Sequence, residues 1–241
     1  SLNLNLMTEK GQEVISRLIE KADVITENFT PGTLDKMGLG YDVVKKINPR
    51  IIYASISGFG SYGPYTRMRC VDPVAQAMGG LMSLTGYPGM PPLKTGPAVA
   101  DSLAGMNMVI GILAALIMRE KTGIGQRIEV SMMDSVFAAL EEAVIRTSMT
   151  GDPLPARGNT DPLGAPWDAF PTVDNKWVMV CAIGGEAFYK VYESIGRLDL
   201  ANEYQGDDEE AMERRSAQLS YLNDEFAKWT KTKSANEIIG F

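Results

Sequence analysis

Ile51-Ile52-Tyr53-Ala54-Ser55-Ile56-Ser57 follows Asn48-Pro49 and ends at Gly58. A short apolar run without polar alternation, bounded by turn residues, is how a strand buried on both faces reads. Upstream, Ala22-Asp23-Val24-Ile25-Thr26-Glu27 reads as a second buried strand. Between the two, Pro31 opens a short helix through Met37 that Gly38 stops, and Asp42 to Ile47 forms another, ended by Asn48-Pro49. Strand, helix, strand at this spacing predicts a parallel α/β sheet.

Working outward, Thr8 is placed to cap a first helix, with Gln12 near the capping-box position and Leu18 and Ile19 on its apolar face. Ser1 to Leu6 alternates like a strand already under way, and the chain reads as a piece of a longer protein lacking both ends. Downstream, a glycine- and proline-rich stretch from Gly58 to Pro97 is broken by a helix from Pro73 to Met82. A helix after Asp101, a turn at Thr122-Gly123-Ile124-Gly125, a strand from Gln126 to Val130 and a helix from Asp134 through Thr147 complete a large domain over residues 1–145. Residues 146–166 read as a linker, since Gly151 to Pro166 carries four prolines and three glycines. Residues 167–241 read as a smaller, incomplete α+β domain. In it are a strand from Trp177 to Ala182, a helix from Phe188 to Ile195 stopped by Gly196, and one long charged helix from Asp207 to Trp229.

The 241 residues are 45% hydrophobic and 22% charged, an ordinary globular balance. A net charge of −7 argues against a nucleic-acid partner or an anionic membrane. The apolar run from Met106 to Met118 is too short to span a bilayer and reads as a core helix. Two cysteines, Cys70 and Cys181, form neither a disulfide framework nor a metal set; they read as small buried residues in a reducing cytoplasm. There is no histidine, which removes the usual general base and the commonest metal ligand. Asn28-Phe29-Thr30 matches the glycosylation acceptor pattern, read as chance without a sign of secretion.

Gly58-Phe59-Gly60-Ser61-Tyr62-Gly63 matches G-x-G-x-x-G after a buried strand. A dinucleotide site needs a helix to start within the glycines and an acidic residue roughly 20 positions on. Here Pro64-Tyr65-Thr66-Arg67 follows, and the later position falls in Ser83-Leu84-Thr85. That disfavours an NAD(P)-dependent oxidoreductase and leaves a glycine-rich active-site loop or a plain turn.

Asp101 lies between Pro91-Pro92-Leu93-Lys94-Thr95-Gly96-Pro97 and the apolar helix. Position alone makes it an N-cap. A carboxylate at a helix start is also held anionic, as a nucleophile must be. Both readings stay open on the residues alone.

The sequence resembles the class III CoA-transferase family (the CaiB/BaiF family), that of formyl-CoA:oxalate and carnitine CoA-transferases. The resemblance rests on Glu27-Asn28-Phe29-Thr30-Pro31-Gly32, Met37-Gly38-Leu39-Gly40-Tyr41, Ile47-Asn48-Pro49-Arg50-Ile51-Ile52-Tyr53 and Ser57 to Tyr65. It continues through Ala75 to Gly80, Leu84-Thr85-Gly86, Pro91-Pro92, Ala100-Asp101-Ser102 and Lys121 to Arg127, densest from Leu2 to about Ala139. It implies a Rossmann-like large domain, a small domain and a homodimer of interlocked subunits. It also implies that CoA moves from an acyl-CoA to a free carboxylic acid through a covalent intermediate on Asp101, with CoA as a substrate and no permanently bound cofactor or metal.

By the same resemblance, Asn28, Phe29, Lys36 and Arg69 fall at CoA-contacting positions, and Val71 and Asp72 fall near the acyl site. Val71 stands where oxalate-type members carry an aromatic residue, which puts oxalate as acceptor in doubt. Gly158 and Gly164 are what remains of a glycine run in the small-domain loop. An acyl-CoA racemase of the same fold would pair an acid with a histidine; that position is Val71, which speaks against racemization.

Overall fold

The computed structural model describes residues 1–240, so Phe241, the last residue of the expected small domain, lies outside it. The chain divides into two compact units. The first comprises Ser1–Gly86 and Met90–Ala156; the second comprises Tyr87–Gly89 and the chain from Arg157 onward.

The elements of the first unit are α1 (Glu9–Ile19), β1 (Val24–Glu27), α2 (Thr33–Lys36), α3 (Tyr41–Ile47), β2 (Ile52–Ser57), α4 (Asp72–Met78), α5 (Leu81–Leu84), α6 (Val99–Thr122), β3 (Arg127–Ser131), α7 (Met132–Ala138) and α8 (Glu142–Thr150). The strands form the expected parallel sheet in the order β1-β2-β3, with Val24 opposite Ile52 and Ser57 opposite Ser131. The central strand β2 is buried from Ile52 to Ser55, as an uninterrupted apolar run requires. One core cluster joins Ile19, Leu39, Val44, Ile51 and Tyr53. Another joins Ala75, Ala100, Ala104, Met132 and Val136.

Several expectations are corrected. Ser1 to Leu6 joins no strand; Asn5 instead accepts from Thr8 N–H at 3.2 Å in a turn, and Leu6 packs on the first cluster. Thr8 caps α1 as expected, accepting from Gly11 N–H at 3.2 Å. Gln12, one residue past the capping-box position, instead donates to the carbonyls of Leu6 and Met37. Leu18 faces solvent while Ile19 is buried. The helix expected over Pro73 to Met82 is broken at Gly80, whose left-handed φ of 93° separates α4 from α5. The helix expected from Asp134 begins at Met132, capped by Ser131, and is interrupted between Ala138 and Glu142.

The largest correction concerns α6. It runs for 24 residues from Val99, so Asp101 is its third helical residue and not its cap. By length and composition α6 could cross a membrane, contrary to the reading from Met106 to Met118 alone, and only 17% of its apolar window is buried. Its place is that of a crossover between the parallel strands β2 and β3, laid along the sheet. Ala100, Ala104, Met108, Ala115 and Arg119 face inward. Gly111 permits the approach, because a Cβ there would sit 2.9 Å from Ile128 Cγ2 on β3. The opposite face, with Met106, Val109, Ile110, Leu113 and Ile117, is exposed. An all-round apolar helix needs cover on every side, and the sheet covers one.

The second unit holds β4 (Gly164–Pro171), β5 (Trp177–Ile183), α9 (Gly184–Ser194), α10 (Leu198–Glu203), α11 (Glu209–Ala217), α12 (Leu219–Thr230) and α13 (Ala235–Ile239). Strands β4 and β5 pair antiparallel, with Phe170 opposite Val178. α8 and β4 both reach into the stretch read as linker, and the long helix expected from Asp207 to Trp229 is divided at Gln218. The core gathers Phe188, Tyr192, Leu200 and Leu222, and Tyr192 O–H donates to the Leu222 carbonyl at 2.8 Å. Cys181 is exposed on β5, not buried.

Candidate active site

The three parallel strands end together. Asn28 follows β1, Gly58 follows β2 and Met132 follows β3, and all three line a cavity of about 730 Å³. Ligand sites of open α/β sheets lie off the carboxyl ends of the strands for this reason: the loops there diverge from a common edge.

The cavity gathers most of the residues singled out from sequence. Asn28, Phe29, Arg69, Val71, Asp72 and Asp101 all line it, together with Cys70. Phe29 sits on the loop after β1, its N–H bonded to Glu27 Oε2 at 2.8 Å, with its ring half exposed. Arg69, Cys70 and Val71 form the wall between the glycine loop and α4. Lys36 is exposed at the end of α2 and does not line the cavity. Gly158 and Gly164 belong to the second unit. There Gly158 takes a left-handed φ of 67° against Tyr87, and Gly164 lies where a Cβ would come within 2.2 Å of the Ala182 carbonyl oxygen.

Asp101 reaches the cavity from the first turn of α6 and is exposed. Its carboxylate accepts no hydrogen bond among the described residues. Asp72 is the opposite: buried, with both oxygens engaged. Ala100 N–H at 2.8 Å and Asp101 N–H at 3.3 Å donate to Asp72 Oδ1, and Gln76 Nε2 donates to Oδ2 at 2.6 Å. Asp72 is itself the first residue of α4, whose cap is Val71, so it caps α6 and not its own helix. The Cys70 thiol is held above its ordinary pKa, first by burial and then by the nearby Asp101 carboxylate.

The G-x-G-x-x-G segment opens no helix; the next one is α4. Gly58 is needed for close approach, since a Cβ there would lie 2.0 Å from Cys70 Cβ. Beyond it, Ser61 Oγ donates to Glu129 Oε2 at 2.6 Å and Ser61 N–H donates to Oε1, so the loop is tied to β3. Glu129 also lines a second cavity of about 390 Å³ with Arg67, Arg127 and Tyr53. Burial first, then the Glu27 and Asp35 charges, push the Tyr53 hydroxyl up to about 12.

Sequence reasoning missed Ser57, Gln76 and Thr95. Ser57 lines both cavities and its buried Oγ has no partner. Its place as the last residue of the central strand was the available signal. Among the described residues no group of three His, Cys, Asp or Glu side chains could hold a metal ion. What the arrangement offers is an exposed carboxylate in the first turn of α6, in a cavity that Asn28, Phe29 and Arg69 also line.

The profile of CoA-transferase family III matches residues 1–240. A formyl-CoA:oxalate CoA-transferase of Streptomyces coelicolor is 40% identical over 99% of the chain and 61% of its own length. A succinyl-CoA–D-citramalate CoA-transferase of Chloroflexus aurantiacus is 32% identical over 99% of the chain and 58% of its own length. The crystal structure of a CAIB/BAIF family protein from Brucella suis superposes with a TM-score of 0.85 at 35% identity, covering 100% of the chain and 62% of that protein. The chain thus spans about three fifths of these relatives.

Proposed function

The chain belongs to CoA-transferase family III, and from that premise we propose that it carries the nucleophile of an enzyme moving CoA from an acyl-CoA to a free carboxylic acid. One observation carries the reading. The Asp101 carboxylate, in the first turn of α6, accepts no hydrogen bond among the described residues and lines the same cavity as Asn28, Phe29 and Arg69.

Asp101 attacks the thioester carbonyl carbon, the C–S bond breaks, and CoA leaves as a thiolate from a mixed anhydride. The thiolate attacks the aspartyl carbonyl, releasing the donor's carboxylate and leaving an aspartyl-CoA thioester. The acceptor carboxylate attacks that thioester, expelling the thiolate and forming a second anhydride. The thiolate then attacks the acceptor's acyl carbon, giving the new acyl-CoA and returning Asp101 as a carboxylate. No step takes up or gives off a proton, which suits a site whose chain supplies no histidine.

Asn28 and Phe29 are assigned to the CoA arm, and Arg69 and Lys36 to its phosphates, the latter from outside the cavity. Val71 and Asp72 border the acyl site. Gly158 and Gly164 are assigned to the small-domain loop that the resemblance marks as a substrate-pocket segment. Relatives act on oxalate and D-citramalate, as their names state; Val71, lacking an aromatic face, speaks against oxalate as the acceptor. The exposed apolar face of α6 supports an interlocked homodimer, and the two free cysteines support a cytoplasmic setting.

The test uses the full-length enzyme. Asp101→Ala is expected to abolish transfer while CoA binding survives, and hydroxylamine during turnover is expected to leave a hydroxamate on Asp101. Retained turnover in the variant would overturn the mechanism.

A further inference from the structure

We propose that Asp72, Gln76 and Thr95 form a positioning relay that holds the first turn of α6, and with it the Asp101 carboxylate, in attacking geometry. The inference rests on the reading of Asp101 as nucleophile.

A helix leaves its first N–H groups without internal partners. The residue preceding α6 is Ala98, which has no side chain to cap it. The segment before it is a proline- and glycine-rich approach that provides no capping side chain either. Val99 N–H turns back to the Pro97 carbonyl at 3.0 Å. The next two N–H groups, of Ala100 and Asp101, go to Asp72 Oδ1, a carboxylate reaching across from α4. A charge-assisted cap of this kind is about twice as strong as a neutral one. It also claims the amides to which the Asp101 side chain would otherwise fold back, so the Asp101 oxygens stay pointed at the cavity.

Asp72 is held in turn. Its Oδ2 accepts from Gln76 Nε2 at 2.6 Å, one turn along α4. Gln76 is fully buried, and its Oε1 accepts from Thr95 N–H at 3.0 Å and Thr95 Oγ1 at 3.2 Å. Thr95 lies on the approach to α6. The loop end, the helix start and α4 are therefore joined by one directional chain: Thr95 donates to Gln76, Gln76 donates to Asp72, and Asp72 accepts from the amides of α6. Each buried polar atom in the chain has its partner, the condition under which such a network rigidifies a site. None of the three is required to touch substrate for the relay to act.

The polarity of the chain makes the proposal testable in the full-length enzyme. Asp72→Asn places an amide nitrogen against Gln76 Nε2, two donors with nothing between them. Gln76→Glu places two carboxylates face to face. Each single variant is expected to lower kcat about 100-fold, with KM for the acyl-CoA nearly unchanged, as for a nucleophile displaced by about 1 Å. Combining them, Asp72→Asn with Gln76→Glu, restores every hydrogen bond with the charge moved one residue along. The new amide oxygen accepts from α6, its nitrogen donates to the new carboxylate, and that carboxylate accepts from Thr95. This double variant is expected to recover most of kcat.

Wild-type kcat in Asp72→Asn, or a double variant with a wild-type urea midpoint whose kcat stays as low as the singles, overturns the relay. Should the single variants fold poorly, Thr95→Val removes a hydroxyl shared between Gln76 Oε1 at 3.2 Å and the Pro97 carbonyl at 3.0 Å, while Thr95 N–H still donates to Gln76, with an expected loss of about fivefold in kcat; an unchanged kcat overturns the proposal equally. Asp101→Asn, assayed in parallel, separates the two readings. If it is inactive while Asp72→Asn turns over normally, the relay fails alone; if it remains active, the nucleophile reading fails and the relay with it.

Discussion

Gly58→Ala tests how the cavity wall is built. A Cβ at position 58 would lie 2.0 Å from Cys70 Cβ and 2.7 Å from Cys70 Sγ. Non-bonded carbons rest at about 3.5–4.0 Å, so the two segments must part by roughly 1.5 Å. Neither has a flexible end to give way, because the nearer contact is a Cβ fixed to its backbone. Gly58 is held to the sheet edge by its carbonyl, which accepts from Met133 N–H at 3.0 Å and Ser131 Oγ at 3.3 Å. The displacement therefore falls on Cys70 and on Asp72 two residues along. Overpacking of this kind costs about 1–3 kcal/mol, and a shift of 1 Å at the site is worth about 100-fold in rate.

The assay pairs a urea titration with transfer activity on the full-length enzyme. Gly58→Ala is expected to lose both stability and kcat. Adding Cys70→Gly, which removes the opposing Cβ, is expected to restore most of the loss. Adding Cys70→Ala is not, because it deletes only Sγ and leaves the 2.0 Å Cβ contact. Full activity in Gly58→Ala, or equal rescue by Cys70→Ala and Cys70→Gly, would refute the reasoning.

Three further outcomes follow from the same structure. Arg119 lies 2.9 Å from Asp23 Oδ1 and donates to the carbonyls of Asp23 and Arg50, tying the far end of α6 to the sheet; Arg119→Met is expected to cost about 2 kcal/mol in urea unfolding by leaving the Arg50 carbonyl bare, whereas the Asp23 carbonyl keeps Ile52 N–H. Asp23→Asn should cost well under 1 kcal/mol, since its side chain is 78% exposed and keeps an acceptor; equal costs would refute that division. Hydrogen bonds first from Thr172 and then Lys176 hold Asp174 down to about 2. A lowered carboxyl stabilises the folded chain above its unfolded value, and that stability is lost as pH falls from about 4 through 2. Asp174→Asn should flatten the acid limb of an unfolding curve over that window. Tyr53 works in the opposite sense: its hydroxyl, raised to about 12, makes stability fall as pH climbs from about 10 to 12. Tyr53→Phe should reduce that fall, read as the urea midpoint at pH 9 against pH 11.

What was legible in the sequence is what local pattern controls. The strand β2 announces itself because nothing polar interrupts Ile51 to Ala54, and Gly38 and Gly196 stop their helices through their own left-handed backbones. β4 was illegible because Pro166 and Pro171 stand inside it, and proline argues against a strand unless that strand is an edge, as β4 is in its two-stranded sheet. The start of α6 was misread for a different reason. Asp101 looked like a cap because the proline- and glycine-rich residues before it could not be helical, and the true cap, Asp72, lies 29 residues upstream of it on another helix. No window of sequence displays that contact; only the fold, by packing α4 against α6, makes it.

The resemblance named the residues around the cavity but not how they are tied to one another. Asp72 fell at an acyl-site position, yet its oxygens are spent on Ala100, Asp101 and Gln76, so its bonding fits an anchor for the helix start better than a free contact for substrate. The exposed carboxylate and the buried one thus form a division of labour that depends on their differing burial. A carboxylate with all its oxygens bonded inside the protein has no free face for attack on a thioester. One left unbonded can attack, provided that something else supplies the cap its helix needs.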